Sequence, residues 1–246
     1  MEKVLENILH LKKNNQKAIA ILIDPDNISK ELLIKQVQLA KTNSVDFFFV
    51  GGSMITEEDC LEETLDYIKS NCDIPTVIFP GSVHQVSNKA DAILFLSLIS
   101  GRNPDLLIGN HILSAPTIKK TGIEVIPTGY MLIDGGKPTT ASYVSNSFPI
   151  PNDKPKIAGV TALAGEMLGL RLNFLDAGSG AIKKVSKEMI RTTAKGTRNP
   201  LIVGGGIRTA EGAKEAWDSG ATIVVIGNAI ESDPNIIREI SNIKCN

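Results

Sequence analysis

Nothing in this chain supplies the charge excess, the cysteine framework or the long apolar run that would mark it as nucleic-acid-binding, disulfide-stapled or membrane-spanning. Its 246 residues carry a formal net charge of −1, and no run of Lys or Arg exceeds two, so neither a nucleic-acid footprint nor a polybasic membrane patch is expected. The three cysteines, Cys60, Cys72 and Cys245, are odd in number and lack metal-ligand spacing. That excludes a disulfide framework and structural zinc, and fits reduced thiols in a cytoplasmic protein. No stretch approaches the ~20 apolar residues a bilayer span requires. Met1 to Lys13 has apolar residues at Val4, Leu5, Ile8 and Leu9 with charges between them. It reads as an amphipathic helix, without the apolar core or cleavage site of a signal peptide. The histidines, His10, His84 and His111, show no mutual ligand spacing and are assigned surface or packing roles, so no Ser-His-Asp order is available.

What is present is a recurring alternation. Short apolar runs, mostly without polar alternation, occur at 18–23, 45–50, 76–79, 92–96, 124–126, 172–175, 201–203 and 222–226. They read as parallel strands covered on both faces. Helical patterns at 30–42, 57–70, 105–120, 157–168, 187–194, 209–219 and 235–243 separate most of them. Alternation with this count, at this length, predicts an α/β fold of the closed (β/α)₈ TIM-barrel type, one domain over 1–246. Two connections depart from the repeat. Pro80 to Ala90 is too short for two loops and a covering helix, so a full third helix is predicted to be missing. Met131 to Lys156 is long, polar and rich in Gly, Pro, Ser and Thr, as a binding loop or lid over the catalytic end would be.

In a barrel, chemistry gathers where strands end. The seventh and eighth strands end in Val203-Gly-Gly-Gly-Ile-Arg208 and Ile226-Gly-Asn228, and glycine lets backbone N–H groups approach an anion unobstructed. This pair predicts a phosphate cup. The sixth strand ends in Asp176 followed by Ala-Gly-Ser-Gly-Ala181, which offers a carboxylate as acceptor or base and further N–H donors. The first ends in Ile23-Asp-Pro-Asp26: either Asp24 binds Mg²⁺, or Asp26 or Asn27 begins the turn and caps the next helix. Gly51-Gly-Ser53 and Phe79-Pro-Gly-Ser82 are turns that leave room for a ligand, and Ser53 could complete a metal or diphosphate contact. Lys137, in the long loop, is within reach of an anion or simply solvated. The cup alone also suits a sugar-phosphate isomerase or aldolase, or a phosphate-binding protein without catalysis.

Taken in order, Ile-Asp-Pro-Asp at 23–26, Gly-Gly-Ser at 51–53, Phe-Pro-Gly-Ser at 79–82, Ser-Gly-Arg-Asn-Pro at 100–104, Pro-Thr-Gly-Tyr-Met-Leu-Ile-Asp-Gly-Gly at 127–136, Asp-Ala-Gly-Ser-Gly-Ala at 176–181 and Val-Gly-Gly-Gly-Ile-Arg at 203–208 resemble the geranylgeranylglyceryl phosphate synthase family, in its longer branch. The resemblance implies a barrel without its third helix. It also implies a reaction in which the C3 hydroxyl of sn-glycerol 1-phosphate attacks the allylic C1 of geranylgeranyl diphosphate, forming an ether and releasing diphosphate. By it, Asp24 and Ser53 match Mg²⁺ positions. Phe174, Leu175, Asp176, Ala177, Gly178, Ser179 and Gly180, with Gly205, Gly206, Gly227 and Asn228, match the glycerol-phosphate site. Asp176 is then the candidate proton acceptor, and Tyr130, with the long loop, is expected to close over the reacting ends. Phe79 and Phe95 are candidates for the prenyl groove. A homo-oligomer and transient membrane-surface contact are also implied. Phe174 and Asp176 stand where the family usually has Tyr and Glu, and Leu22 stands where the shorter branch has lysine.

Overall fold

A computed structural model describes residues 3–52 and 58–244. Eight parallel strands close into a barrel in sequence order: β1 Ala18–Ile23, β2 Phe47–Val50, β3 Thr76–Ile78, β4 Ala92–Leu98, β5 Glu124–Leu132, β6 Leu172–Asp176, β7 Leu201–Gly204 and β8 Ile223–Ile226. Closure is made by β1 on β8, with Ala18 beside Ile223 and Ile21 beside Ile226. Alternate residues serve two cores, as the two-residue period of a strand requires. Ala18, Ala20, Phe47, Phe49, Leu94, Phe174 and Val225 fill the barrel, while Ile19, Ile21, Phe48, Ile93, Leu175 and Val224 face outward into the second core. This is why the strands read as unbroken apolar runs.

The helices are α1 Val4–Lys13, α2 Lys30–Thr42, α3 Glu58–Asn71, α4 Asn110–Thr121, α5 Thr140–Val144, α6 Pro155–Met167, α7 Lys187–Gly196, α8 Ala210–Asp218, α9 Asn228–Ser232 and α10 Ile236–Lys244. A single wide turn, Asp105–Gly109, leads into α4. The amphipathic α1 closes the bottom of the barrel, where its Val4 and Ile8 join the inner core. Its first amides donate to the Glu124 carboxylate, Val4 N at 2.7 Å and Leu5 N at 3.2 Å, which satisfies donors that a helix start leaves open. No helix lies between β3 and β4, as the short connection predicted.

Three expectations need correction. β5 runs on through Pro127, Thr128 and Gly129 to Leu132. Pro127 lacks an N–H but still accepts from Arg171 N at 2.8 Å, so the strand continues. Tyr130 therefore belongs to the barrel wall, not to a closing loop. Residues 133–154 carry structure of their own, a bridge between Ile133 and Ile150 and the short α5. The cap of α2 is Ser29, whose Oγ accepts from Leu32 N at 3.2 Å; neither Asp26 nor Asn27 has that role.

Candidate functional site

The strand ends open into a cavity of about 490 Å³. One part lies over the barrel axis and reaches Asp24, Tyr130, Asp176 and the glycines after β7 and β8. The lining also takes in Val83 and Val86 of the helix-free β3–β4 connection and Ser114 and Ile118 of α4, which together form its side arm. The arm follows one face of a helix, because Asn110, Ser114 and Ile118 recur every four residues.

The glycines that the sequence assigned to a phosphate cup lie together at the ends of β6, β7 and β8. Gly178 and Gly205 hold left-handed φ angles of 87° and 79°. A Cβ on Gly205 would stand 2.5 Å from Gly178 N, so both rims depend on its absence. The β8 rim is tied to the β6 rim by Asn228, whose Oδ1 accepts from Gly180 N at 3.1 Å and from Ser179 Oγ at 3.0 Å. Gly206 and Gly227 also line the cavity. Leu175 and Ala177 do not: their side chains lie in the outer core, because they alternate with Phe174 and Asp176 along the chain. Leu22 packs beside Gly227, where a Cβ would stand 3.5 Å from its Cδ2.

Asp176 is buried beside the cup. Its Oδ2 accepts from the Tyr130 hydroxyl at 2.6 Å and its Oδ1 from Gly178 N at 2.7 Å. Burial pushes its carboxyl above the ordinary carboxylate value, against the pull of those two bonds. Burial, then the neighbouring carboxylate, push the Tyr130 phenol well above its ordinary value, so it stays protonated and donates. Tyr130, Phe174 and Phe79 pack as a trio with centroids 5.2 to 5.8 Å apart. The absent hydroxyl on Phe174 thus leaves a ring stacked on Phe79.

At the end of β1, next to β8, Asp24 lines the cavity and Asp26 does not. Asp24 Oδ1 accepts from Asp26 N at 3.2 Å and Oδ2 from Asn27 Nδ2 at 2.8 Å, a turn that holds the carboxylate at the rim. Ser53 lies outside the described residues. Among the described residues no three His, Cys, Asp or Glu side chains converge. One rim carboxylate suits Mg²⁺, which is commonly held by one or two carboxylates plus substrate phosphates.

Three residues that sequence reasoning did not assign to the site also line the cavity. Arg208 is the cation lining it among the described residues, anchored by donation to Ala181 O at 2.7 Å. Only its place after the glycine run hinted at this. Gln85 bridges two strand-end loops. His111, assigned a surface or packing role, does pack, edge-on to Phe95 at 4.3 Å, with Nε2 3.2 Å from Ser97 Oγ; it also forms part of the side arm. Burial lowers its pKa, so the arm keeps a neutral imidazole. His84 is exposed, and His10 bonds Asn14 on the surface of α1. Lys137 stands beside the loop after β6, with Nζ 3.3 Å from where a Gly180 Cβ would be, and does not line the cavity.

A PcrB family profile matches residues 12–244. The chain belongs to the PcrB family. It is 50% identical over 240 residues to the geranylgeranylglyceryl phosphate synthase of Chitinophaga pinensis, which covers 98% of this chain and 95% of that one. Identity to the enzyme of the same name from Thermococcus gammatolerans is 43%, covering 94% of this chain and 91% of the relative. Among solved structures, this PcrB family fold superposes with a TM-score of 0.93 on (S)-3-O-geranylgeranylglyceryl phosphate synthase from Thermoplasma acidophilum in complex with its substrate sn-glycerol-1-phosphate. The two are 34% identical, over 99% of this chain and 98% of that one. The Thermoplasma volcanium protein follows at 0.90 and 32%, covering 98% and 96%.

Proposed function

We propose that this protein is a Mg²⁺-dependent prenyltransferase that joins the C3 hydroxyl of sn-glycerol 1-phosphate to geranylgeranyl diphosphate, making the ether of an isoprenoid glycerolipid. One observation carries the reading: a glycine cup beside a buried carboxylate shares with Asp24 a cavity whose lining continues through Val83, Val86 and Phe95 to α4. The cup residues, with Arg208 at its edge, bind the glycerol phosphate. Asp24 would hold Mg²⁺, and the ion would supply charge neutralisation for the departing diphosphate. The hydroxyl oxygen forms its bond to C1 as the C1–O bond to diphosphate breaks, and Asp176 takes the hydroxyl proton. Tyr130 orients that carboxylate, and the aromatic trio keeps water from the reacting carbon. Phe95 and the α4 face receive the prenyl tail.

The Schiff-base aldolase alternative lacks its nucleophile, since among the described residues no lysine lines the cavity. The exposed apolar side chains of α4 and α6, among them Ile112, Leu113, Val160 and Met167, support a homo-oligomer. Among the described residues no helix is long and apolar enough to cross a membrane. In this reading the protein is cytoplasmic and meets its lipid substrate by transient surface contact.

The test is incubation of purified protein with Mg²⁺, labelled glycerol 1-phosphate and prenyl diphosphates of graded length. Ether product that depends on Mg²⁺ is expected, greatest near twenty carbons. Binding of glycerol phosphate with no product at any chain length would leave only a phosphate-binding protein.

A further inference from the structure

Residues 79–91 cross from β3 to β4 without a helix. From this connection the side chain of Gln85 reaches back to the loop after β2. Gln85 is only 2% exposed; its Oε1 accepts from Gly81 N at 2.8 Å and its Nε2 donates to Gly52 O at 3.2 Å. The two groups belong to the loops that follow β3 and β2. Gly52 in turn abuts the rim carboxylate, since a Cβ there would stand 2.5 Å from Asp24 Oδ1 and 2.8 Å from its Cγ. Gly51 is equally close to the next strand, where a Cβ would stand 2.0 Å from Phe79 O. Backbone therefore touches carboxylate directly, with no intervening side chain to absorb a shift.

We infer that Gln85 is a positioning residue for the diphosphate side of the site. Its amide fixes the Gly52 carbonyl, Gly52 sets the Asp24 carboxylate, and Asp24 presents its oxygens to the cavity. The inference rests on the function proposed above. An amide suits the place because one planar group both donates and accepts. An ionised glutamate accepts only, and methionine offers neither in useful strength. The glycerol-phosphate cup, built after β6, β7 and β8, shares no hydrogen bond with Gln85.

Gln85→Met and Gln85→Glu test the inference beside the wild type. In both, the KM for geranylgeranyl diphosphate and the Mg²⁺ concentration for half-maximal rate should rise about ten- to a hundredfold, the usual cost of losing a partner that orients a metal ligand. Calorimetry without prenyl substrate should show weakened binding of Mg²⁺ with inorganic diphosphate, while the Kd for glycerol 1-phosphate stays unchanged. Gln85→Glu keeps the side-chain size and the Gly81 bond, so it carries the test if Gln85→Met does not fold. A merely structural role would lower Tm and weaken both ligands together. That result, or unchanged diphosphate binding in a folded variant, overturns the positioning role. Absence of ether product from the wild type would strike the proposed reaction instead, and the calorimetric comparison would still decide Gln85.

Discussion

Asp176 accepts two hydrogen bonds yet keeps acceptor capacity, because an ionised carboxylate offers about four lone-pair sites. It can hold its place and still receive a proton. Burial raises its pKa, so the ionised base is lost as pH falls through that raised value, and the acid limb of kcat/KM should lie above the ordinary carboxylate range. The Tyr130 bond opposes that rise. Tyr130→Phe should therefore move the acid limb to still higher pH, besides lowering turnover. Asp176→Asn, which keeps shape but takes no proton, should lose on the order of 10²- to 10⁴-fold in kcat. A pH profile of kcat/KM reads both effects. An acid limb in Tyr130→Phe that coincides with the wild type would mean that another group titrates.

At the level of elements, Glu166 near the end of α6 accepts from Thr197 Oγ1, from Arg198 N at 2.7 Å and from Arg198 Nε at 2.8 Å, stapling α6 to the chain entering β7. The Thr197 and Arg198 bonds lower its carboxyl pKa from 4.5 to about 2. A depressed folded pKa means stability that is present above the unfolded value and lost as pH falls toward the folded one. Glu166→Gln should accordingly lower Tm at neutral pH, with the gap to wild type closing between pH 4.5 and about 2. A gap of constant size down to the lowest pH would deny the ionised staple its role. Periodicity made elements of this kind legible: α2 spans Lys30–Thr42 as predicted, and the bare β3–β4 connection followed from its length alone. What stayed hidden depended on non-local packing. The fifth run read as ending at Ile126, although β5 continues through Pro127 and Gly129, where Ile99 and Asn173 crowd the very space that Gly129 leaves open. Gln85 and His111 carry no local signal, because the cavity that gives them meaning is assembled from elements distant in sequence.

At the scale of the whole molecule, barrel closure decides the division of labour. Because β1 pairs with β8, Asp24 and the cup after β7 and β8 share one mouth, yet they rest on different strands and loops. Their functions should separate under mutation. Asp24→Ala is expected to abolish turnover and leave the Kd for glycerol 1-phosphate unchanged. Gly205→Ala places a Cβ 2.5 Å from Gly178 N at a φ of 79°, so it should weaken glycerol 1-phosphate binding while the response of the remaining activity to Mg²⁺ is retained. Calorimetry with glycerol 1-phosphate and Mg²⁺ titrations of the rate, on variants with native circular dichroism, make the comparison. Equal loss of both ligands in folded Asp24→Ala would show the mouth to be a single coupled site, because only a barrel rim that moves as one body would transmit the missing carboxylate to the cup on β6, β7 and β8.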